Sequence, residues 1–331
     1  MAVGLGLDVG GTKVLGCALD ERGVLAAEVR LSSPKTLDGA VDALVGCVRE
    51  LLDGLGQRRD EVTGIGLGLP GLVSDDGVLH ETANMHGVEG LSLRASLASR
   101  LEELRASAGL SASPPWRLVA DNDGTCAAAG ELAFGAARGC SDAVVVTLGT
   151  GIGGGIIANG RMLRGARRFA AEIGHMVVDV DGPPCGCGRF GCWEQFASGT
   201  GLAHLARQRC AEGGAARLCA LAGGGPEAVR GEHVVAAARE GDPDALVVIE
   251  QFGRYLATGL ANLAEVLDPG RIILGGGLVQ AGDLLLGPGL ATYAATTRRG
   301  SGARSVPVVI AELGERAGAY GAAALGLDLV P

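Results

Sequence analysis

The sequence predicts a duplicated α/β architecture, and two glycine hairpins set far apart in the chain carry that prediction. Residues 5–9 form an apolar strand pattern that breaks at Gly10-Gly11-Thr12 and resumes over residues 14–19. The same phrase returns over residues 143–148, a β-branched run, followed by Gly149-Thr150-Gly151 and a returning strand through Gly153, Gly154 and Ile157. Each hairpin opens an alternation of strand and helix patterns, which marks a repeated α/β unit rather than one continuous sheet.

The elements between and after the hairpins follow from periodicity and punctuation. Apolar residues at helical spacing predict a helix over 37–55, then a strand over 62–69 stopped by Pro70-Gly71. Leucines over 92–106 predict a second helix, Ser-Ala-Ser-Pro-Pro at 111–115 a loop, and residues 117–120 a strand. A helix over 127–134 is expected to begin just after Asp123, and the Gly/Ala-rich stretch 213–231 reads as a surface excursion. A long helix over 244–267 ends at Asp-Pro-Gly, and a strand over 271–274 runs into Gly275-Gly276-Gly277. Residues 315–327 read as a helix that crosses back onto the first domain. The expected division is a smaller domain of residues 1–120 plus about 315–331, and a larger one of 121–314.

Composition narrows the partners. The 331 residues are 47% hydrophobic but 3% aromatic, so the core must be aliphatic, and 58 glycines point to tight turns and close backbone approaches. Lys and Arg total 28 against 37 Asp and Glu, and a net charge of −9 offers no footprint for nucleic acid. Arg164, Arg167 and Arg168, and likewise Arg298 and Arg299, read as solvated or loop charges. No apolar run reaches the roughly 18 residues of a membrane span, and the first residues carry no leader pattern, so a cytoplasmic protein is expected. Of nine cysteines, Cys17, Cys47, Cys126, Cys140, Cys210 and Cys219 stand apart and read as small buried hydrophobes.

The chemistry-bearing residues form three groups. In Asp8-Val9-Gly10-Gly11-Thr12-Lys13, the glycines let backbone N–H groups and the Thr hydroxyl approach phosphoryl oxygens, and Asp8 can position a hydrated magnesium ion. Gly149-Thr150-Gly151-Ile152-Gly153-Gly154 offers a second cradle; either alone would be an ordinary strand turn, whereas the pair favours phosphate binding. Neither hairpin has Walker spacing, and neither turns into a helix as a dinucleotide fingerprint does.

The second group is His175 with Cys185, Cys187 and Cys192, the one-imidazole, three-thiolate set of a closed structural zinc site. A disulfide or incidental thiols would be the plain alternative, and the Cys-x-Cys-x4-Cys spacing in a Gly-rich loop disfavours both. Glu172 and Glu194 are tethered close to these ligands, so an ion there would fix two carboxylates suited to sugar hydroxyls. The third group is Asp121-Asn122-Asp123-Gly124, between a strand end and a helix start. One Asp could cap the helix while the other faces a cleft, held ionised by the helix terminus.

These residues together resemble the ROK family of sugar kinases and repressors, and its bacterial glucokinases most. The resemblance rests on Asp8-x-Gly10-Gly11-Thr12-Lys13, Pro70-Gly71, Asn84, Asn122-Asp123, Thr150-Gly151-x-Gly153-Gly154-Gly155, Glu172-x-Gly174-His175 and the run from Cys185 to Glu194. It implies an actin-like, ribonuclease H-like duplicated fold with two domains around a cleft, ATP with Mg2+, a structural Zn2+ and usually a homodimer. It implies Asp123 as the base that deprotonates a hexose 6-hydroxyl. It gives Gly71, Asn84, Asn122, Glu172, His175 and Glu194 to the sugar, and Gly275, Gly276 and Gly277 to the adenosine. His175 would ligate zinc through one ring nitrogen and serve the sugar through the other.

Two departures bear on the acceptor. The family often reads Glu-Asn-Asp-Ala-Asn where this chain has Asp121-Asn122-Asp123-Gly124-Thr125, and a Trp commonly follows Asn84 where Val88 stands. Glucose is the expected acceptor. N-acetylmannosamine, N-acetylglucosamine, fructose, mannose or a cyclitol are the alternatives, and polyphosphate is the alternative donor. A sugar-responsive repressor is disfavoured, because the first hairpin begins at Asp8 and leaves no room for a preceding DNA-binding domain.

Overall fold

The computed structural model describes residues 1–11, 13–33, 37–81, 90–110, 114–297 and 305–331. Thr12, Asn84, the 85–88 wall, Arg298, Arg299 and residues 111–113 of the expected loop lie outside the described residues.

The chain opens with strands β1 (Val3–Val9), β2 (Lys13–Asp20) and β3 (Leu25–Ser32), helix α1 (Leu37–Leu55) and strand β4 (Val62–Leu69). Three short strands follow, β5 (Leu72–Val73), β6 (Val78–Glu81) and β7 (Leu91–Ser92), then α2 (Leu93–Ser107), β8 (Arg117–Asn122) and α3 (Asp123–Phe134). The second half holds β9 (Ala143–Leu148), β10 (Ile152–Ala158), β11 (Arg161–Met162), α4 (Glu194–Ala197), α5 (Gly199–Ala211), α6 (Ala216–Leu221), α7 (Gly231–Arg239) and α8 (Pro243–Leu267). It closes with β12 (Arg271–Gly275), α9 (Asp283–Thr296), β13 (Val308–Ile310) and α10 (Ala317–Gly326).

The duplication is visible in the strand orders. One sheet runs β3-β2-β1-β4-β8 and the other β11-β10-β9-β12-β13, each an antiparallel hairpin extended by parallel strands. The expected α1, β4, α2 and α8 form within a residue or so of their predicted spans, and α2 and α8 are capped by Ser92 and Asp242 side chains. The excursion over 213–231 differs from expectation, because it contains helix α6, whose Leu218 is fully buried.

Two compact units divide the chain. One comprises Met1–Val145, Gly154–Ala171 and Ala311–Pro331, the other Val146–Gly153 and Glu172–Ile310. The expected boundary near residue 120 therefore lies elsewhere, and β8 and α3 stay in the first unit. The reason is α10: it returns from the chain end, as expected, and packs on α3, β1 and β4. It approaches so closely that a Cβ at Gly6 would stand 1.9 Å from the Ala319 carbonyl oxygen, and one at Gly66 would stand 1.8 Å from that of Ala322. Glycines within strands ordinarily weaken them, and here they open a lane for the helix backbone. Glu131 on α3, fully buried, fastens the entry to α10 by accepting from the backbone N–H groups of Ala136 (2.7 Å), Leu313 (2.9 Å) and Glu312 (3.2 Å).

The lane yields a paired stability prediction. Gly66→Ala should cost about 3 kcal/mol or more, because backbone rather than a flexible side chain must yield. Gly46→Ala, where a Cβ on α1 meets nothing within 4 Å, should stabilise by about 0.5–1 kcal/mol. Urea unfolding of the two variants checks both signs.

Candidate active site

In the first unit, the end of β8 and the start of α3 present the central carboxylate. Asn122, rather than Asp121 or Asp123, is the N-cap: its Oδ1 accepts the Thr125 N–H at 3.0 Å, and its Nδ2 donates to the Gly71 carbonyl at 3.1 Å. Asp123 is the first residue of α3, half-buried, with Oδ1 accepting the Gly124 N–H at 2.8 Å. Burial pushes its pKa up to about 6, against the pull of the Gly124 N–H and of Asn122. At position 124 a Cβ would lie 2.6 Å from the Gly154 nitrogen, so the glycine that replaces the family's usual alanine fits a close approach of α3 to β10.

Asp8, at the end of β1, is the second half-buried acid. Burial and then the neighbouring Asp123 push it up to about 7, with Lys13 pulling the other way. Its carboxylate sits beside Gly318 in the first turn of α10, where a Cβ would come within 2.6 Å of it. Two adjacent under-compensated acids make a site that favours a cation. Lys13 supplies little of that charge, because its Nζ is 2.7 Å from Glu315 Oε2, in a surface cluster with Arg30 and Glu28. Gly10 and Gly11 stand at the expected hairpin, with the Gly10 N–H donating to the Lys13 carbonyl at 2.9 Å.

Asp121 corrects another expectation. It is 1% exposed and accepts from Arg164 Nε at 2.9 Å and Arg168 Nη2 at 2.8 Å, so these two arginines are half-buried partners of an interior carboxylate rather than solvated charges. Nothing in the sequence pairs residues more than forty apart.

In the second unit, Gly149-Thr150-Gly151 forms the expected turn. The Gly149 and Thr150 carbonyls accept from the Gly199 and Thr200 N–H groups at the start of α5, at 2.8 and 3.1 Å. Glu194 Oε2 accepts the Ile152 N–H at 2.9 Å and lies so close to Gly151 that a Cβ there would meet it at 2.2 Å. One oxygen of Glu194 is thus used to hold the hairpin. Gly275, Gly276 and Gly277 end β12 and open a single-turn helix over Gly277–Ala281. Beside it lies a cavity of about 410 Å3 with small apolar walls, Gly199, Gly231, Ala236 and Leu278, and with Arg230 and Glu232 at its edge.

His175, Cys185, Cys187 and Cys192 converge, with their ligand atoms all within 4.8 Å of one another. Cys185 Sγ lies 3.5 Å from His175 Nδ1, and Cys187 Sγ lies 3.6 Å from Cys192 Sγ. Tetrahedral donors about 2.3 Å from a metal stand about 3.8 Å apart, so the set fits one ion. Burial tends to raise Cys187, but hydrogen bonds from Arg189, and then from Cys185 and Cys192, outweigh it and bring the thiol down to about 7. Burial and then the other two thiols push Cys192 up to about 12. The remaining ring nitrogen of His175, Nε2, is 3.9 Å from Glu172 Oε2.

The loop is seated by a residue that sequence reading overlooks. Trp193, fully buried between Cys192 and Glu194, donates Nε1–H to the Tyr255 carbonyl of α8 at 2.8 Å, and Gly259 leaves room for its indole. Phe196 stacks on Tyr255, with ring centroids 3.9 Å apart. A tryptophan beside a cysteine ligand in a chain with two tryptophans was the available signal. Of the other cysteines, Cys17, Cys47 and Cys126 are buried as expected, whereas Cys210 and Cys219 do not stand apart: their sulfurs lie 3.0 Å from each other.

The twin hairpins, the duplicated sheets and the helix-held acid define the class: a sugar kinase of actin-like fold. The chain belongs to the ROK family, which it matches over residues 4–328. It is 35% identical to the glucokinase of Streptomyces coelicolor over all of this chain and 99% of that protein. Its structure is similar to a ROK family glucokinase from Streptomyces griseus in complex with glucose and AMPPNP, with a TM-score of 0.82, 35% identity and 99% and 100% of the two chains covered. A ROK hexokinase from Thermus thermophilus aligns with a TM-score of 0.79 at 30% identity over 98% of each chain.

The raised acid at Asp8 predicts a pH dependence of stability. A carboxyl whose folded pKa of about 7 exceeds its ordinary value of 3.8 adds stability that is full below the lower value and is lost as pH rises through the higher one. The melting temperature of the ligand-free protein should therefore fall between about pH 4 and pH 7 by more in the wild type than in Asp8→Asn, by calorimetry at matched ionic strength. The pH range is about that spanned by the shift.

Proposed function

We propose that the protein transfers the γ-phosphoryl group of ATP to the 6-hydroxyl of glucose, with Asp123 as the general base. The observation that carries this reading is the Asp123 carboxylate, half-buried at the N-terminus of α3 and under-compensated beside Asp8. The glucose and AMPPNP bound by the Streptomyces griseus relative support the choice of acceptor and donor.

In this reading Gly71, Asn84, Asn122, Glu172, His175 and Glu194 hold the hexose hydroxyls. The Asn122 amide is held by Gly71 and the Thr125 N–H, so it offers a fixed edge. Asp123 takes the proton from O6 as O6 bonds to the γ-phosphorus and the bond to the ADP oxygen breaks. A loose transition state asks for a well-placed acceptor rather than a strong base, and a carboxylate with a pKa near 6 is ionised at neutral pH. Asp8, Gly10, Gly11, Thr12, Lys13, Gly149, Thr150, Gly151, Gly153 and Gly154 serve the phosphates. The cavity beside the turn that follows Gly275, Gly276 and Gly277, with Val235, Ala236 and Leu278 among its walls and Arg230, Glu232 and Arg239 also lining it, suits an adenine ring. Asp8 would hold Mg2+, which when bound offsets phosphate charge. His175 Nδ1 with Cys185, Cys187 and Cys192 would hold one structural Zn2+, fixing Glu172 and Glu194 through the loop. No described helix is long and apolar enough to cross a membrane. A cytoplasmic homodimer is part of the proposal.

Four outcomes are expected. Asp123→Asn should retain sugar binding and lose turnover by about three orders of magnitude or more, and near-normal turnover would remove Asp123 from its role. With wild-type enzyme, kcat/KM for glucose should fall about tenfold per pH unit below about 6, since only the ionised base accepts the proton. Coupled ADP release should favour glucose over acetamido sugars, fructose and mannose, and ATP over polyphosphate; a better rate on an acetamido sugar would replace glucose as the acceptor. Elemental analysis should find about one zinc per chain, and Cys187→Ala should weaken sugar binding more than nucleotide binding.

A further inference from the structure

We infer that Asp121, clamped by Arg164 and Arg168, is a positioning residue that sets both the Asn122-Asp123 turn and the segment leading to Glu172. The inference rests on Asp123 acting as the base.

Every part of the Asp121 carboxylate is committed. Oδ2 accepts from Arg164 Nε at 2.9 Å and Arg168 Nη2 at 2.8 Å, and Oδ1 accepts the N–H of Asn122 at 3.0 Å. Arg168 reaches on to Asp75 Oδ1 at 2.7 Å, at the exposed turn between β5 and β6. Two acids and two guanidinium groups thus alternate from the surface to a carboxylate that is 1% exposed. Charge-assisted bonds from planar guanidinium groups fix direction as well as distance.

The consequence lies in what is attached. Asn122 is held at three points: its N–H by Asp121, its Nδ2 by the Gly71 carbonyl and its Oδ1 by the Thr125 N–H. The adjoining residue is Asp123, whose carboxylate direction follows from the Asn122 backbone. At the other end of the clamp, residues 163–171 form no helix or strand, and Arg168 and Ala171 take the left-handed conformation at φ 63° and 70°. Such backbone is costly for non-glycine residues and persists where the surroundings over-determine it. Two guanidinium anchors within five residues provide that constraint. The segment then continues through the chain into Glu172 and, three residues on, His175. A buried ion pair serving stability alone would be poorly justified, since apolar side chains do that at least as well, whereas setting two chain segments in register requires its geometry.

The test compares Asp121→Asn, Arg168→Lys and the outer-arm control Asp75→Asn in full-length protein. Asp121→Asn should lower kcat and raise glucose KM, each by about tenfold or more, with ATP KM within about twofold of wild type. Asp75→Asn should leave all three constants within about twofold. Hydrogen exchange should quicken at the Thr125 amide and across residues 164–171 in Asp121→Asn. A folded Asp121→Asn with unchanged kcat and glucose KM, losing only melting temperature, overturns the inference. If that variant does not fold, Arg168→Lys decides: a kcat and glucose KM change of the same pattern supports the clamp, and wild-type constants overturn it. Should wild-type protein phosphorylate no sugar, the proposed function fails by itself, and exchange at Thr125 and 164–171 then decides the clamp alone, with unchanged protection rejecting it.

Discussion

The closeness of α10 to β1 and β4 is the constraint on which the first unit depends. A helix drawn from the last residues of the chain reaches strands laid down at the start, at a separation that only glycine permits at positions 6 and 66. Every residue of α10 is buried, and its sequence is nearly all Ala and Gly, so its backbone approaches the strands closely while Ala319, Tyr320 and Ala323 pack with the side chains of β2. Because α3 packs on the same helix, α10 fixes the start of α3 relative to the end of β1. Asp8 and Asp123 become neighbours through that geometry. Bringing chain ends together over some three hundred residues adds little loop entropy beyond what a shorter loop would cost.

The buried acids of this unit divide by how they are satisfied. Glu131 is met by three backbone N–H groups, and Asp121 by two arginines and an N–H. Asp8 and Asp123 carry raised pKa values, because burial outweighs the hydrogen bonds that reach Asp123 from Gly124 and Asn122, and outweighs, with the charge of Asp123, the pull of Lys13 on Asp8. That unevenness supports the proposed roles of Asp8 and Asp123.

The second unit solves a different problem. A loop rich in glycine between residues 182 and 191 has little side-chain mass with which to hold itself. It is pinned by Trp193 on α8, and one imidazole and three thiol groups converge at a single point within it. Glu194, between these two anchors and the Gly149 hairpin, takes its direction from both.

Much of this was legible in the order of residues. Helix and strand spans follow from periodicity, the hairpins from glycine pairs, and the thiolate cluster from Cys-x-Cys-x4-Cys, because each signal acts over a few residues and depends on local backbone preference. The sequence by itself therefore determined the repeated α/β pattern and marked out the residues that converge as a histidine and three cysteines. Only the tertiary structure decided that Asn122 does the capping, that Arg164 and Arg168 are half-buried partners of Asp121, that Lys13 is drawn to Glu315, and that β8 and α3 belong with the chain's end. Those outcomes are set by which distant groups share a low-dielectric space. Burial and charge pairing depend on the whole packed arrangement, which no local window of sequence contains.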